Sequence, residues 1–209
     1  MIRIEHTEKE WIFPFAEYSP AVKSKNMPLI IQLHGAGERG NGTDDLWLVD
    51  RHGFSKVIAD DESHNCIFAM PQCPRETFWC AKTESLLAFI EQLKEKFSID
   101  EKRIYLTGLS MGGYGTWFTA MAKPDLFAAI APICGGGMAW NASVLTMPVW
   151  AFHSSDDPIV SVVQSDEMIA KIREFNNDVL YSRFTGLGHD AWEKACNTEL
   201  LDWLLSKSK

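Results

Sequence analysis

Ile104-Tyr105-Leu106-Thr107-Gly108-Leu109-Ser110-Met111-Gly112 is the stretch that decides how this chain folds. An apolar run ends in Gly-x-Ser-x-Gly and passes at once into a helix-like segment, Met111 to Met121. Ser110 is therefore placed on a strand-to-helix elbow as a candidate nucleophile. At so sharp a turn, a Cβ two residues either side of the serine would collide with the neighbouring strand or helix, which accounts for both glycines. A pentapeptide this loose also arises by chance, so a general base and an orienting acid must follow it in the chain.

Working outward, strands and helices alternate. Strands are expected at Leu29–Leu33, Cys66–Ala69, Arg103–Thr107, Ala128–Pro132, Pro148–Phe152 and Val179–Phe184. Helices are expected at Phe54–Ala59, Glu84–Lys96, the segment after Ser110, Gln164–Glu174 and Thr198–Leu205. This order implies an α/β fold: a mostly parallel central sheet with helices on both faces. Runs such as Leu29-Ile30-Ile31 and Val149-Trp150-Ala151-Phe152 suit strands buried on both sides. Trp11–Tyr18 is read as an antiparallel edge strand, because Pro14 cannot donate to a central ladder.

With 209 residues and no Pro/Gly/Ser-rich linker, the chain is read as one domain, residues 1–209. Hydrophobic residues at 46% and charged residues at 23% exclude a disordered or fibrous chain. Twenty Lys and Arg against 28 Asp and Glu leave a net charge of -8, which repels nucleic acid and anionic lipid. The N-terminal Met1-Ile2-Arg3-Ile4-Glu5-His6 has no apolar signal core and no apolar run is long enough to span a bilayer, so a cytoplasmic protein without membrane insertion is expected. Five cysteines, an odd number without zinc-site spacing, fit free thiols better than a disulfide framework, with Cys73 and Cys80 as the one conceivable pair. A homo-oligomer stays open.

In open α/β sheets, ligands gather at the carboxyl ends of the strands, and the residues there are informative. After Leu33 comes His34-Gly35-Ala36-Gly37; after Phe152 come His153, Asp156 and Asp157; after Phe184 comes Gly186-Leu187-Gly188-His189-Asp190. A serine hydroxyl needs an imidazole to take its proton as it attacks a carbonyl. In such a sheet the order is Ser, then Asp or Glu, then His, and His189 is the only histidine after Asp157. It is the candidate base. Asp156 and Asp157 both qualify as the acid, and the physics of adjacent residues does not separate them; the unused one is left to solvent or to a backbone amide in the turn before Pro158. Two backbone N–H donors are needed for the developing oxyanion, and Met111 and Ala36 are the candidates, with Gly37 as the fallback.

These residues resemble the α/β-hydrolase superfamily. Within it they are similar to small serine carboxylesterases related to acyl-protein thioesterases and to the peptidase/esterase group near the prolyl oligopeptidases. The resemblance rests on Leu33-His34-Gly35-Ala36-Gly37-Glu38-Arg39-Gly40, on Thr107 to Thr116, on Pro71-Gln72-Cys73-Pro74, on His153 to Val160 and on Gly188-His189-Asp190-Ala191-Trp192. It covers residue 29 to the C-terminus. In relatives the catalytic aspartate stands four residues after the histidine of the acid motif, which selects Asp157, and the usual glycine after that histidine is Ser154 here. The resemblance implies two-step acyl transfer to water through an acyl-enzyme, with no metal or organic cofactor.

Trp79, Trp192, Trp140 and Tyr114 are expected on or near the active-edge loops, as an aromatic wall for an acyl or aryl group; Trp117, Trp150 and Trp203 are assigned to the core. Glu38 and Arg39 are read as a mutual salt bridge bracing their loop, with substrate steering as the alternative. Cys134-Gly135-Gly136-Gly137 is expected to be a flexible loop beside the site. Only Cys134 to Met147 is available for a lid, so an open pocket for small to modest esters is expected. Besides a serine esterase acting on a small-molecule ester, the competing classes are a small serine peptidase or amidase and a catalytically silent ligand-binding module; the silent class usually lacks a triad member.

Overall fold

A computed structural model describes residues 1–59 and 63–209. Its strands are β1 (Ile2–His6), β2 (Phe15–Ser19), β3 (Met27–Leu33), β4 (Ile67–Pro71), β5 (Ile99–Leu109), β6 (Ala129–Ile133), β7 (Val149–Ser154) and β8 (Val179–Phe184). Its helices are α1 (Ser55–Ala59), α2 (Thr83–Lys96), α3 (Met111–Ala122), α4 (Val163–Ile172), α5 (Trp192–Ala195) and α6 (Thr198–Leu205), joined by short 3₁₀ turns. The strands form one sheet in the order β1-β2-β4-β3-β5-β6-β7-β8. From β4 to β8 the neighbours run parallel, while β1 and β2 are antiparallel.

The strand period of two explains the layering. Leu29, Ile31 and Leu33 of β3 point into one core, with Ile104 and Leu106 of β5; Ile30 and Tyr105 point into the other. The first core is closed by α2, α3 and α4. Leu86, Phe89, Ile90 and Leu93 of α2 recur at helical spacing and are all buried. The second is closed by α1, α5, α6 and the 3₁₀ turn Leu46–Asp50. Helices thus cover both faces, as the alternation of elements implies. No helix among the described residues is long and apolar enough to cross a membrane. Among the described residues no disulfide joins any two cysteines, Cys73 and Cys80 included.

One strand assignment is corrected. Strand β2 is shorter than Trp11–Tyr18 and lies inside the sheet, because β1 pairs along its outer side from Ile2↔Ser19 to His6↔Phe15. Pro14 precedes the strand and contributes only its carbonyl, which accepts from the Gln72 N–H at 2.8 Å. The true edge, Ile2-Arg3-Ile4-Glu5-His6, is half polar and partly exposed, so it carries little of the apolar signal by which strands are read.

Strand β2 also buries a charge. The Glu17 side chain has no exposed surface; it lies 2.5 Å from Lys23 Nζ, 2.8 Å from His6 Nε2, and accepts from the Ser19 hydroxyl at 2.5 Å. Burial alone would raise its pKa, but the hydrogen bonds from His6, Lys23 and Ser19 outweigh it and leave the carboxyl at about 2. A folded-state pKa below the unfolded one gives stability that is present above the ordinary carboxylate range and lost as pH falls toward the folded value. Wild type is expected to lose roughly 3 kcal/mol from this group between about pH 5 and pH 2, and Glu17→Gln none of it. Urea unfolding of both proteins at about pH 6 and pH 3 checks this; equal losses in the two would refute it.

Candidate active site

Strand β5 ends at Leu109 and α3 begins at Met111, leaving Ser110 alone at the corner with φ 54 and ψ -113. That left-handed region is costly for a residue with a Cβ, by about 1–3 kcal/mol, and its surroundings enforce it. The Ser110 N–H donates to the Ile133 carbonyl at 2.9 Å, and its carbonyl accepts from the Tyr114 N–H at 3.0 Å. The flanking glycines are required by close approach. A Cβ on Gly108 would strike the Gly112 carbonyl, and one on Gly112 would strike the carbonyls of Leu33 and His34. The elbow is therefore packed directly on the end of β3, where the donor loop starts.

His189 reaches over the corner. Its Nδ1 lies 2.7 Å from Asp157 Oδ2 and its Nε2 lies 2.8 Å from Ser110 Oγ. A carboxylate only accepts, so Nδ1 carries the proton and the Nε2 lone pair faces the Ser110 hydroxyl. Asp157 is buried, which by itself would raise its pKa. The hydrogen bond from His189 and the N–H groups of Val160 and Ile159 outweigh that and hold it below the ordinary carboxylate value. Both amides bind Oδ1, at 2.9 and 2.8 Å, leaving Oδ2 for His189.

Asp156 points elsewhere. It accepts from the Ser154 hydroxyl at 2.5 Å and from the N–H groups of Gly186 and Gly188 at 3.0 and 3.4 Å, so it ties down the loop that carries His189. The Ser154 hydroxyl comes first among the causes that keep its carboxyl below the ordinary range. Its amide partners lie in the His189 loop, not in the turn before Pro158. Ser154 thus supplies part of that brace.

Behind Asp157 lies a residue the sequence reading left without a role. His153 is fully buried, with Nε2 2.9 Å from the Val160 carbonyl and 3.3 Å from Asp157 Oδ2, and Nδ1 2.8 Å from Ser165 Oγ. Ligand atoms of Cys134, His153 and Asp157 come within 4.8 Å of one another, a spacing a metal ion would accept. The groups are otherwise engaged: His153 Nε2 faces two acceptors and carries a proton, and burial pushes the Cys134 thiol up to about 12. The cluster reads as hydrogen-bonded support for the acid.

On the opposite side, Ala36 opens the 3₁₀ turn Ala36–Glu38 and Met111 opens α3. First-turn N–H groups have no intrahelical acceptor, so both amides are free to face the space above Ser110. The loop is held from beneath: the His34 ring accepts from the Cys73 N–H at 2.9 Å, and the His34 carbonyl accepts from the Trp79 indole at 3.0 Å. Desolvation drives the His34 pKa down to about 4, keeping the ring neutral for that acceptor role.

Several expectations are corrected here. Trp79 is fully buried and braces the donor loop, so it cannot wall a substrate; Phe78, one residue earlier, is 53% exposed and lines the cavity instead. Trp140 stands 78% exposed on the 3₁₀ turn Ala139–Val144 and lines neither cavity beside Ser110. No ion pair joins Glu38 to Arg39 among the described residues. Arg39 braces the loop by donating to the carbonyls of Ala36, Arg75 and Thr77, while Glu38 turns inward. The Cys134 to Gly137 loop is packed rather than loose: a Cβ on Gly135 would meet the backbone of Gly113 and Tyr114 at 2.5 to 2.8 Å. Tyr114 and Trp192 do line cavities, two different ones that both reach Ser110. An apolar cavity of about 640 Å³ is lined by Phe78, Cys80, Met111, Tyr114, Phe118 and Gln164. A smaller one of about 280 Å³ holds Glu38, His52, His189 and Trp192.

Comparison with known proteins fits this geometry. The chain is 29% identical over 163 residues to a bifunctional acetylxylan esterase/xylanase of Neocallimastix patriciarum, covering 75% of this chain and 23% of that protein. It is 31% identical over 126 residues to poly(3-hydroxyalkanoate) depolymerase C of Paucimonas lemoignei, covering 57% of this chain and 30% of that one. The chain thus spans under a third of the length of these relatives. Among solved structures, a thermostable esterase superposes with a TM-score of 0.82 at 31% identity, over all of this chain and 63% of the other. The acetyl xylan esterase from Aspergillus awamori superposes at 0.75 with 13% identity, over 98% and 99% of the two chains, which shows the shared fold alone. The architecture is the α/β-hydrolase fold. The model described as Esterase PHB depolymerase matches residues 14–177, and the chain belongs to that family.

Proposed function

We infer that the protein hydrolyses carboxylic esters, with Ser110 as nucleophile, His189 as general base and Asp157 as the acid that orients it. The observation that carries this reading is the unbroken path from Asp157 Oδ2 through the His189 ring to Ser110 Oγ, with both hydrogen bonds between 2.7 and 2.8 Å. Membership of an esterase family and the names of two curated relatives support it. Ser110 Oγ attacks the ester carbonyl as His189 Nε2 takes its proton, and Asp157 stabilises the imidazolium. The N–H groups of Met111 and Ala36 hold the developing oxyanion. Collapse expels the alcohol, protonated by His189, and a water activated by the same ring releases the acid. None of these steps calls on a cofactor.

The apolar cavity beside Tyr114 and Phe78 suits a small to modest acyl or aryl group, and with only a 3₁₀ turn between β6 and β7 the site stays open to solvent. Fluorophosphonate is expected to label Ser110, and nitrophenyl esters to be turned over by wild type, with Ser110→Ala losing at least about a thousandfold in kcat. A panel without turnover and an unlabelled Ser110 would sink the reading; aminoacyl amides run in parallel separate esterase from amidase.

Asp157→Asn leaves the shape of the site but allows the wrong imidazole tautomer, and is expected to lower kcat by about 10⁴-fold. Asp156→Asn perturbs only the loop brace and is expected to cost no more than about tenfold. The reverse ranking, read from kcat on one nitrophenyl ester, would transfer the acid role to Asp156.

A further inference from the structure

The Asp157 carboxylate has a second imidazole behind it, and the acceptors around that ring fix how many protons it carries. The side chains of His153 and Asp157 have no exposed surface. His153 Nε2 stands 2.9 Å from the Val160 carbonyl and 3.3 Å from Asp157 Oδ2. Both only accept, so Nε2 bears a hydrogen. Nδ1 lies 2.8 Å from Ser165 Oγ of α4, and the Ser165 hydroxyl donates at 2.8 Å to the Gly135 carbonyl. That hydroxyl has one hydrogen to give. Were it turned to Nδ1, the oxygens of Ser165 and Gly135 would face each other at 2.8 Å with nothing between them. Turned to Gly135, it leaves a lone pair for an N–H on Nδ1. Each ring nitrogen therefore donates, which only the imidazolium can do.

A buried cation needs a partner of opposite sign, and Asp157 is the one at hand. The other titratable groups that feel Asp157 are neutral: burial pushes the Cys134 thiol at the end of β6 up to about 12 and also raises Tyr114 of α3. One oxygen, Oδ2, thus receives two imidazoles, His189 Nδ1 at 2.7 Å and His153 Nε2 at 3.3 Å. The two nitrogens lie within about 6 Å of each other, close enough for one positive charge to oppose a second. On its other side His189 shares a cavity with Glu38 and His52. His153 lines neither cavity beside Ser110.

We propose that His153 is held as an imidazolium behind the acid, and that its fixed charge keeps His189 neutral, and so able to act as base, down to a lower pH than Asp157 alone would allow. It is a positioning residue that acts through Asp157. The role rests on the hydrolase reading for what Asp157 and His189 do; the charge on His153 does not. With His153 charged, Asp157 divides its attraction between two rings, and a proton arriving on His189 meets a like charge. With a neutral residue there, the whole carboxylate charge acts on His189, which then takes up a proton at higher pH.

Nitrogen-15 NMR of histidine-labelled wild type at about pH 7 reads the charge directly, with the His153 ring assigned through its contacts with Val160 and Ser165. A proton is expected on both ring nitrogens, and one bare nitrogen refutes the imidazolium without any need of turnover. The pH profile of kcat/KM on a nitrophenyl ester is then compared between wild type and His153→Gln, whose amide still donates to Asp157 but carries no charge. With each profile scaled to its own plateau, the acid limb is expected to move about one unit to higher pH in the variant, a tenfold relative loss on that limb. Purely structural support would lower the plateau and leave the limb in place, so a move of less than about half a unit overturns the role of His153. Glu38 and His52 are the same in both proteins and cancel. Should His153→Gln fail to fold, the proton count on wild type decides. A wild type without turnover strikes the hydrolase reading, and the role with it, while the charge on His153 is still read by NMR.

Discussion

The contact on which the carboxyl edge depends is the one between the first turn of α3 and the carbonyls that end β3. Gly112 presses its backbone against Leu33 and His34 so closely that a methyl group cannot be accommodated. Because β3 and β5 are adjacent and parallel, with Leu33 opposite Gly108, the chain leaving β3 and the chain leaving β5 emerge side by side. The loop bearing Ala36 and the helix bearing Met111 are thereby brought to one point, and Ser110 stands between them. The strained backbone of Ser110 is the local cost of that juxtaposition, offset by the core that Trp117, Ala120 and Met121 bury behind it.

The acid is a second point where burial and hydrogen bonding are balanced. Removing Asp157 from water would push it toward the neutral form, which could not hold a protonated Nδ1. Two backbone amides fix one oxygen, and the rings of His189 and His153 approach the other. Asp156, one residue away, reaches across to Gly186 and Gly188 instead. Adjacent carboxylates thus hold one loop in complementary ways: one touches the ring of His189 and the other the backbone that carries it.

How much of this is legible in the sequence depends on the range of the interaction. The inner strands are readable because burial on both faces forces continuous apolar runs, as in Leu29-Ile30-Ile31. Strand β1 is not, since an edge with one face in water shows only two isoleucines in five residues. Chain order leads to His189 because the fold type restricts where a base can follow the serine. Phe78 and Trp79 show where such reading stops: adjacent aromatics at the start of a 3₁₀ turn have no periodicity to say which turns inward. Glu38, turned away from Arg39 and toward His52, is a similar case, because its nearest cation comes from a segment fourteen residues downstream.

Trp192 joins these layers. It opens α5, whose Ala195 is buried in the core, so the C-terminal side of the His189 loop is anchored by packing while Asp156 anchors its N-terminal side. The indole meets the His189 ring edge-on, with ring centroids 5.1 Å apart, and the residue lines the cavity on that side of Ser110. The setting of the His189 ring therefore depends on one buried side chain that also lines the cavity beside it. A shift of Trp192 would be felt at the His189 imidazole that it touches.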